Sequence, residues 1–176
     1  MNSVIVAMLL LAAGSPRPVA DIRDVDFYNF TFPAFAGFDE VPVKNGDYCG
    51  NLVPGDDLSN ACIGVGPVMD GDLTGDGIDE TVVFMGAVFR SGNGSPGIGY
   101  VYTLRDGRPV LIYTLASGDR HHSGILSVDI VDGNLVVTRL EGADRYQAIE
   151  ETTTFHWNGT TFVPIAVTQR HHRTPN

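Results

Sequence analysis

The segment of residues 70–80, DGDLTGDGIDE, holds the side chains of this chain that are best suited to chemistry. Counting from Asp72, oxygen-bearing side chains recur at every second position, and Gly77 permits a sharp reversal of the chain. Ca²⁺ takes roughly six to eight hard oxygen ligands in a flexible geometry. The spacing therefore predicts a calcium site formed by the side chains of Asp72, Thr74, Asp76 and Glu80 and the main-chain carbonyl of Ile78. The residues leave one alternative open, a plain acidic β-turn between two strands.

The same loop resembles a known pattern. The stretch GDLTGDGIDETVVF is similar to the calcium loop and following strand of FG-GAP and VCBS-type segments. The resemblance implies the same ligands, with Thr74 standing where those families use Asn or Asp and Glu80 where they use Asp. Those families repeat the loop, whereas here it occurs once. Because the site has few formal charges, we expect weak structural binding of Ca²⁺, on the order of 10⁻⁴ to 10⁻³ M.

A wider similarity covers most of the chain. The stretches DFYNFTFP, GDR and FHWNGTTFV look similar to segments of small exported bacterial proteins of uncharacterised function. This resemblance implies export and supplies no activity.

Two cysteines are present, Cys49 and Cys62, and they flank a turn-rich segment. In an oxidising compartment this arrangement predicts one disulfide, which would stabilise the fold by about 3 kcal/mol in the chain-entropy model. A metal pair and a reactive nucleophile are the alternatives, and no C-x-x-C spacing or Cys-His signature supports either of them.

The first residues predict export. Residues 4–13 form an unbroken apolar run, and the small residues and prolines of 14–20 stop any helix there. We interpret residues 1–20 as a signal peptide cleaved after Gly14 or Ala20, which predicts a periplasmic or secreted protein. The run is about half the length that crosses a bilayer, so a permanent anchor is less favoured. A buried N-terminal segment remains the alternative.

Composition restricts the partners. The chain has 176 residues, with 11 Lys and Arg against 21 Asp and Glu, a formal net charge of −10. Such a chain lacks the positive field that holds a phosphate backbone or an anionic membrane. We expect no nucleic acid and no membrane contact after signal cleavage. The expected protein is a monomer with an unknown protein or glycan ligand.

The elements that must position these residues are short strands. Asp106-Gly107, Asp132-Gly133 and Asn158-Gly159 each separate two β-type runs and favour type I′ hairpin turns. They predict three hairpins, which pair 97–104 with 109–116, 125–131 with 135–140 and 152–157 with 160–166. The fold class is therefore all-β, a mainly antiparallel meander forming a curved sheet, a sandwich or an open barrel. One domain over 21–176 is expected, with a flexible tail from about residue 167.

The acidic loop lies between two of these strands. Residues 65–70 and 80–90 read as a further hairpin, and 81–85 are apolar on both faces, which predicts a central strand covered on both sides. The six aromatic residues of 24–38 favour a first strand whose rings pack on the sheet over a sugar-binding platform. Only 143–151 could form a helical turn or two.

These patterns favour a calcium-stabilised, non-catalytic binding or interaction module. The enzyme alternative is a hydrolase, with acids from Asp119, Asp129 or Glu150 and a histidine from His121 or His122. A purely structural envelope protein is the third possibility.

Overall fold

The structure is a computed structural model that describes residues 18–90, 96–116, 118, 124–141 and 149–171. Over these residues the chain forms β-strands and short 3₁₀ helices, which confirms the all-β class. The 3₁₀ helices are Ile22–Asp24, Phe27–Asn29 and Asp57–Ser59. The strands are β1 Thr31–Phe35, β2 Phe38–Pro42, β3 Asp47–Asn51, β4 Asn60–Gly71, β5 Glu80–Phe89, β6 Gly97–Arg105, β7 Arg108–Ala116, β8 Gly124–Val131, β9 Asn134–Glu141, β10 Ile149–Trp157 and β11 Phe162–His171.

The strands form three antiparallel sheets in which neighbours in sequence are neighbours in space. A five-stranded sheet has the order β3-β4-β5-β6-β7, a four-stranded sheet the order β11-β10-β9-β8, and β1 pairs with β2. One sheet curls into a half-barrel. The expected meander is therefore confirmed, and all four hairpins of the sequence analysis are present.

Two of the three predicted type I′ turns have the expected geometry. Asp106 and Gly107 have φ values of 52° and 70°, and Asp132 and Gly133 have 50° and 72°. Both residues of each turn therefore adopt the left-handed conformation that type I′ requires.

The third turn differs. The loop from Asn158 to Thr161 has four residues, and of its Asn-Gly pair only Gly159 has a positive φ. The Asn158 side chain accepts hydrogen bonds from the N–H groups of Thr160 and Thr161, at 3.0 and 2.9 Å. Because the side chain caps these N–H groups, Asn158 does not need the left-handed conformation. The type I′ prediction is therefore wrong here, and β11 begins two residues later than predicted.

The five-stranded sheet is covered on both faces. Val83 and Met85 of β5 face a core cluster shared with β1, β2 and the first two 3₁₀ helices, whereas Val82 faces a second cluster shared with the four-stranded sheet. All three side chains are fully buried. The prediction of a central strand covered on both sides is thus confirmed for β5.

The aromatic residues near the start pack into the first cluster. The rings of Phe32 and Tyr100 lie 5.8 Å apart between centroids, and those of Phe27 and Tyr102 lie 5.2 Å apart. This confirms that the rings pack on the sheet, although 3₁₀ helices, and not a strand, occupy much of residues 22–29.

The predictions for the signal peptide, the helical turn and the C-terminal tail concern residues at or beyond the ends of the described segments. Most of the predicted signal peptide, residues 1–17, lies outside the described residues, as do residues 143–148 of the predicted helical turn. Ile149–Trp157 is strand β10, so the helical prediction is wrong for 149–151. Residues 167–171, assigned above to a flexible tail, pair with β10. In the described part of the chain, no helix has the length and apolar character needed to span a membrane.

Candidate functional site

The acidic loop connects β4 to β5. Gly71 and Glu80 are paired in the antiparallel register, so residues 72–79 form the loop at the end of the hairpin, and the two ends of this loop are adjacent. Leu73 is 1 % exposed and belongs to the second core cluster, which fixes the start of the loop to the space between the two large sheets. The loop is therefore a structured part of the domain.

Asp72 organises the backbone of the loop. Its Oδ1 accepts a hydrogen bond from the Gly75 N–H at 2.7 Å, and its Oδ2 accepts one from the Gly77 N–H at 2.9 Å. Both glycines are left-handed, with φ values of 76° and 85°, and a Cβ on either would meet nothing within 4 Å. Glycine is thus needed at these positions for backbone conformation.

Glu80 is the most enclosed charged residue of the loop. Its side chain is fully buried. Oε2 accepts hydrogen bonds from the Leu73 and Thr74 N–H groups at 2.9 and 3.0 Å, and Oε1 accepts them from the Thr103 and Thr74 hydroxyls at 2.9 and 3.4 Å. Four donors match the roughly four lone-pair sites of a carboxylate. Glu80 therefore holds the start of the loop against β6.

Burial raises the pKa of Glu80 above its usual value of 4.5, and the negative charge of Asp76 raises it further. The hydrogen bonds from Thr103, Leu73 and Thr74 act in the opposite direction. Among these causes the charge of Asp76 is the smallest, and it acts as a repulsion between the two carboxylates. A cation in the loop would relieve this repulsion.

The remaining predicted ligands lie on the exposed side. Asp76 is exposed and accepts a hydrogen bond from the Ile78 N–H at 2.9 Å, and Ile78 itself is 53 % exposed. Asp79, the next acid, forms an ion pair with Arg23 of the first 3₁₀ helix. This ion pair ties the loop to the N-terminal layer.

The oxygen donors of the loop fit Ca²⁺ better than a transition metal. Asp72 uses two lone-pair sites for backbone N–H groups and Asp76 uses one, so both carboxylates retain acceptor capacity. Among the described residues, no three His, Cys, Asp or Glu side chains are grouped to hold a metal ion. A site here would therefore combine carboxylates with the Thr74 hydroxyl and the Ile78 carbonyl, which suits calcium. Ligation by these residues stays a prediction, as does ligation by Glu80, whose carboxylate would have to give up some of the four hydrogen bonds that it accepts in this structure.

The structure brings the two cysteines together. Cys49 and Cys62 are opposite each other on β3 and β4, with an S–S distance of 2.09 Å and a Cα–Cα distance of 4.1 Å. The predicted pairing is confirmed. A disulfide at this position fits an extracellular or periplasmic protein.

The structure does not bring together Asp129 and Glu150, the two described acids of the hydrolase alternative. Asp129 lies on β8, level with Thr154 of β10 across β9, whereas Glu150 is four residues before Thr154 on β10. Strand spacing and rise place the two carboxyl-bearing residues about 16 Å apart, beyond the roughly 5 to 10 Å of glycosidase pairs. Glu150 also forms an ion pair with Arg170. Asp119, His121 and His122 lie outside the described residues.

A cleft that the sequence analysis missed lies at the other end of the β4–β5 hairpin. It has a volume of about 670 Å³ and opens between β4–β6 and the near ends of β8 and β9. Gly64, Gly86 and Gly97 line it. Gly86 and Gly97, which fall within predicted strands, were the available signal, but their alignment with Gly64 depends on a register that the sequence does not display.

Comparison of the chain with protein-family models, curated proteins and solved structures found no match. The function below is accordingly inferred from the chain's own residues.

Proposed function

We propose that this chain is an exported, non-catalytic binding domain whose acidic loop is stabilised by Ca²⁺. The observation that carries this proposal is the construction of the loop. The buried carboxylate of Glu80 accepts hydrogen bonds from within the fold. The carboxylates of Asp72 and Asp76 can still accept further bonds.

The loop suits a stabilising role better than a catalytic one. Catalysis needs a walled site that holds a substrate against the reacting groups. A Cβ added at Gly75 or Gly77 would meet only open space, so the loop offers no wall of side chains at these positions. Ca²⁺ bound there would stabilise the folded chain by mass action, by about 1.4 kcal/mol at about 10 mM with a Kd of about 1 mM.

Export is supported by the disulfide and by the apolar segment at residues 4–13. The Val19 N–H donates a hydrogen bond to the Gly107 carbonyl at 2.9 Å. Cleavage after Gly14 keeps this contact, whereas cleavage after Ala20 removes it. We therefore expect mass spectrometry of the exported protein to find Ser15 as the first residue, and a first residue at Asp21 would contradict this choice of site.

Thermal unfolding with millimolar Ca²⁺ and with chelator tests the calcium site. We expect a higher melting temperature with Ca²⁺ and a clearly smaller shift in Asp76→Asn, which keeps an oxygen for the Ile78 N–H and removes the charge. Asp129→Asn is the matched control because it makes the same change at an exposed position on β8.

Equal melting temperatures with Ca²⁺ and chelator in the wild type would refute the calcium site. A hydrolytic activity abolished by Asp72→Asn in protein with an unchanged melting temperature would refute the non-catalytic assignment. It would make the loop an active site.

A further inference from the structure

The cleft is a wide opening between the two large sheets. Its floor is one face of β4, β5 and β6, and its opposite wall includes Ile125, Leu126 and Leu140 of the four-stranded sheet. Leu126 is 49 % exposed, and Val88 beside the floor is 63 % exposed. Its volume of about 670 Å³ lies within the range typical of small-molecule sites.

Three glycines lie side by side in a strip across the floor, and the Phe84 ring covers the one at Gly97. Gly64 pairs with Gly86, and Gly86 pairs with Gly97, so the three lie side by side on adjacent strands. At a strand spacing of about 4.8 Å, the uncovered part of the strip, from Gly64 to Gly86, is about 5 Å long. Glycine inside a strand weakens it by roughly 0.5 to 1 kcal/mol relative to alanine, and it often marks a close approach by a ligand.

The local structure explains only one of these glycines. None of the three has a positive φ, so backbone conformation does not require glycine there. A Cβ on Gly97 would lie 2.5 Å from the Phe84 ring, which accounts for that position by packing. A Cβ on Gly86 would meet nothing within 4 Å, and one on Gly64 would make only an ordinary contact with Asp47 at 3.5 Å. At these two positions glycine serves to keep the floor bare.

The lining indicates what could lie on this strip. Apart from Asp47, the described lining side chains are uncharged, and most are apolar. A sugar would leave hydroxyl groups unpaired against such walls, which costs free energy. A flat apolar ring fits a floor without side chains and can also contact the Phe84 ring. The Asp47 carboxylate at the edge disfavours an anionic ligand.

We propose that the cleft binds a planar aromatic ligand of about two fused rings, neutral or positively charged, with a ring face lying on Gly64 and Gly86 and an edge against the Phe84 ring. This inference rests on the binding role proposed above and refines it, and it does not require Ca²⁺. One ring covers the uncovered part of the strip, and the cleft volume of about 670 Å³ leaves room for a second fused ring.

Fluorescence titration of the full mature chain tests the proposal, with two naphthalene dyes as probes. Prodan is uncharged, and anilinonaphthalene sulfonate is anionic. We expect saturable one-site binding of prodan with a blue-shifted emission, and weaker binding of the sulfonate. Asp47→Asn is expected to narrow the difference between the dyes, because it removes the charge at the edge.

Gly86→Leu places a side chain on the strip and is expected to weaken prodan binding by roughly tenfold or more, which corresponds to about 1.4 kcal/mol. Gly86→Ala occupies less of the strip, and we expect a smaller loss in a variant with no predicted folding defect. Thr168→Leu is the control, because it adds the same side chain at an exposed position on β11.

Unchanged prodan affinity in both Gly86 variants would overturn the proposal, as would the absence of saturable binding to the wild type. Stronger binding of the sulfonate than of prodan would overturn the assigned ligand charge. If dye binding fails while the Ca²⁺-dependent melting shift is present, the ligand class is wrong and the calcium-stabilised domain stands. If the Ca²⁺-dependent melting shift is absent while prodan affinity falls in Gly86→Ala and falls further in Gly86→Leu, the calcium site is wrong and the proposed ligand site in the cleft is supported.

Discussion

The two ends of the β4–β5 hairpin use their residues in opposite ways. At the loop end, Glu80 is fully buried and accepts four hydrogen bonds from Leu73, Thr74 and Thr103. At the cleft end, Gly86 presents no side chain and faces open space. One end therefore fills its interior with satisfied polar contacts, whereas the other leaves room between the sheets.

This difference separates stability from binding along one pair of strands. Glu80 and Gly86 are six residues apart on β5, or about 20 Å at the rise of an antiparallel strand. Sites that far apart with no shared partners usually contribute additively to the free energy of unfolding. Changes at the loop end should therefore alter stability and leave the cleft unchanged.

The largest effect is expected from Glu80→Ala. This change leaves the Leu73 and Thr74 N–H groups without their buried acceptor and creates a cavity beside Thr103. We expect a loss of about 3 to 5 kcal/mol in the free energy of unfolding, measured by urea denaturation with chelator present.

Glu80→Gln is the matched variant. Its amide oxygen can accept from both N–H groups, and its amide nitrogen can donate to the Thr103 hydroxyl. A much smaller loss is therefore expected. Equal losses in the two variants would contradict the role of Glu80 as a hydrogen-bonded support of the loop.

The next effect concerns the disulfide between β3 and β4. Reduction, or the double change of Cys49 and Cys62 to alanine, is expected to lower the free energy of unfolding by about 3 kcal/mol. The oxidised protein should also resist alkylation under native conditions. Free thiols in freshly exported protein would refute the pairing, and the double variant should show no further change on reduction.

A smaller pair of effects compares glycines at the two ends. Gly77 has a φ of 85°, so Gly77→Ala is expected to destabilise the chain by about 1 to 2 kcal/mol in chelator. Gly86 has neither a positive φ nor a close neighbour, so Gly86→Ala is expected to stabilise it by about 0.5 to 1 kcal/mol. Denaturant midpoints measure both changes. If the free energy of unfolding changes in the same direction in both variants, the proposed difference between the two ends is wrong.

Local sequence signals predicted much of the fold. Asp-Gly turns have a strong conformational preference, which is why the β6–β7 and β8–β9 hairpins could be predicted from the sequence. The turn at Asn158 was predicted incorrectly because its side chain satisfies the nearby N–H groups in another way. Turn type there depends on a hydrogen bond that residue type alone does not specify.

The two sites were less accessible to sequence reasoning. The spacing of residues predicts the oxygen ligands of the loop, but the enclosed position of Glu80 also involves Thr103, which is 23 residues away on another strand. The glycine strip depends on the registers of three strands, and one of these pairings contains a β-bulge between Val65 and Val68. Both features arise from tertiary packing.

The central claim is that the loop controls stability and the cleft controls binding. Its most direct test measures melting temperature and prodan affinity together on the wild type and Asp76→Asn, each with Ca²⁺ and with chelator. We predict that chelation lowers the melting temperature of the wild type, that Asp76→Asn makes this Ca²⁺-dependent difference clearly smaller, and that the prodan affinity of the folded protein is unchanged throughout. A loss of prodan affinity at an unchanged melting temperature would contradict the separation of the two ends.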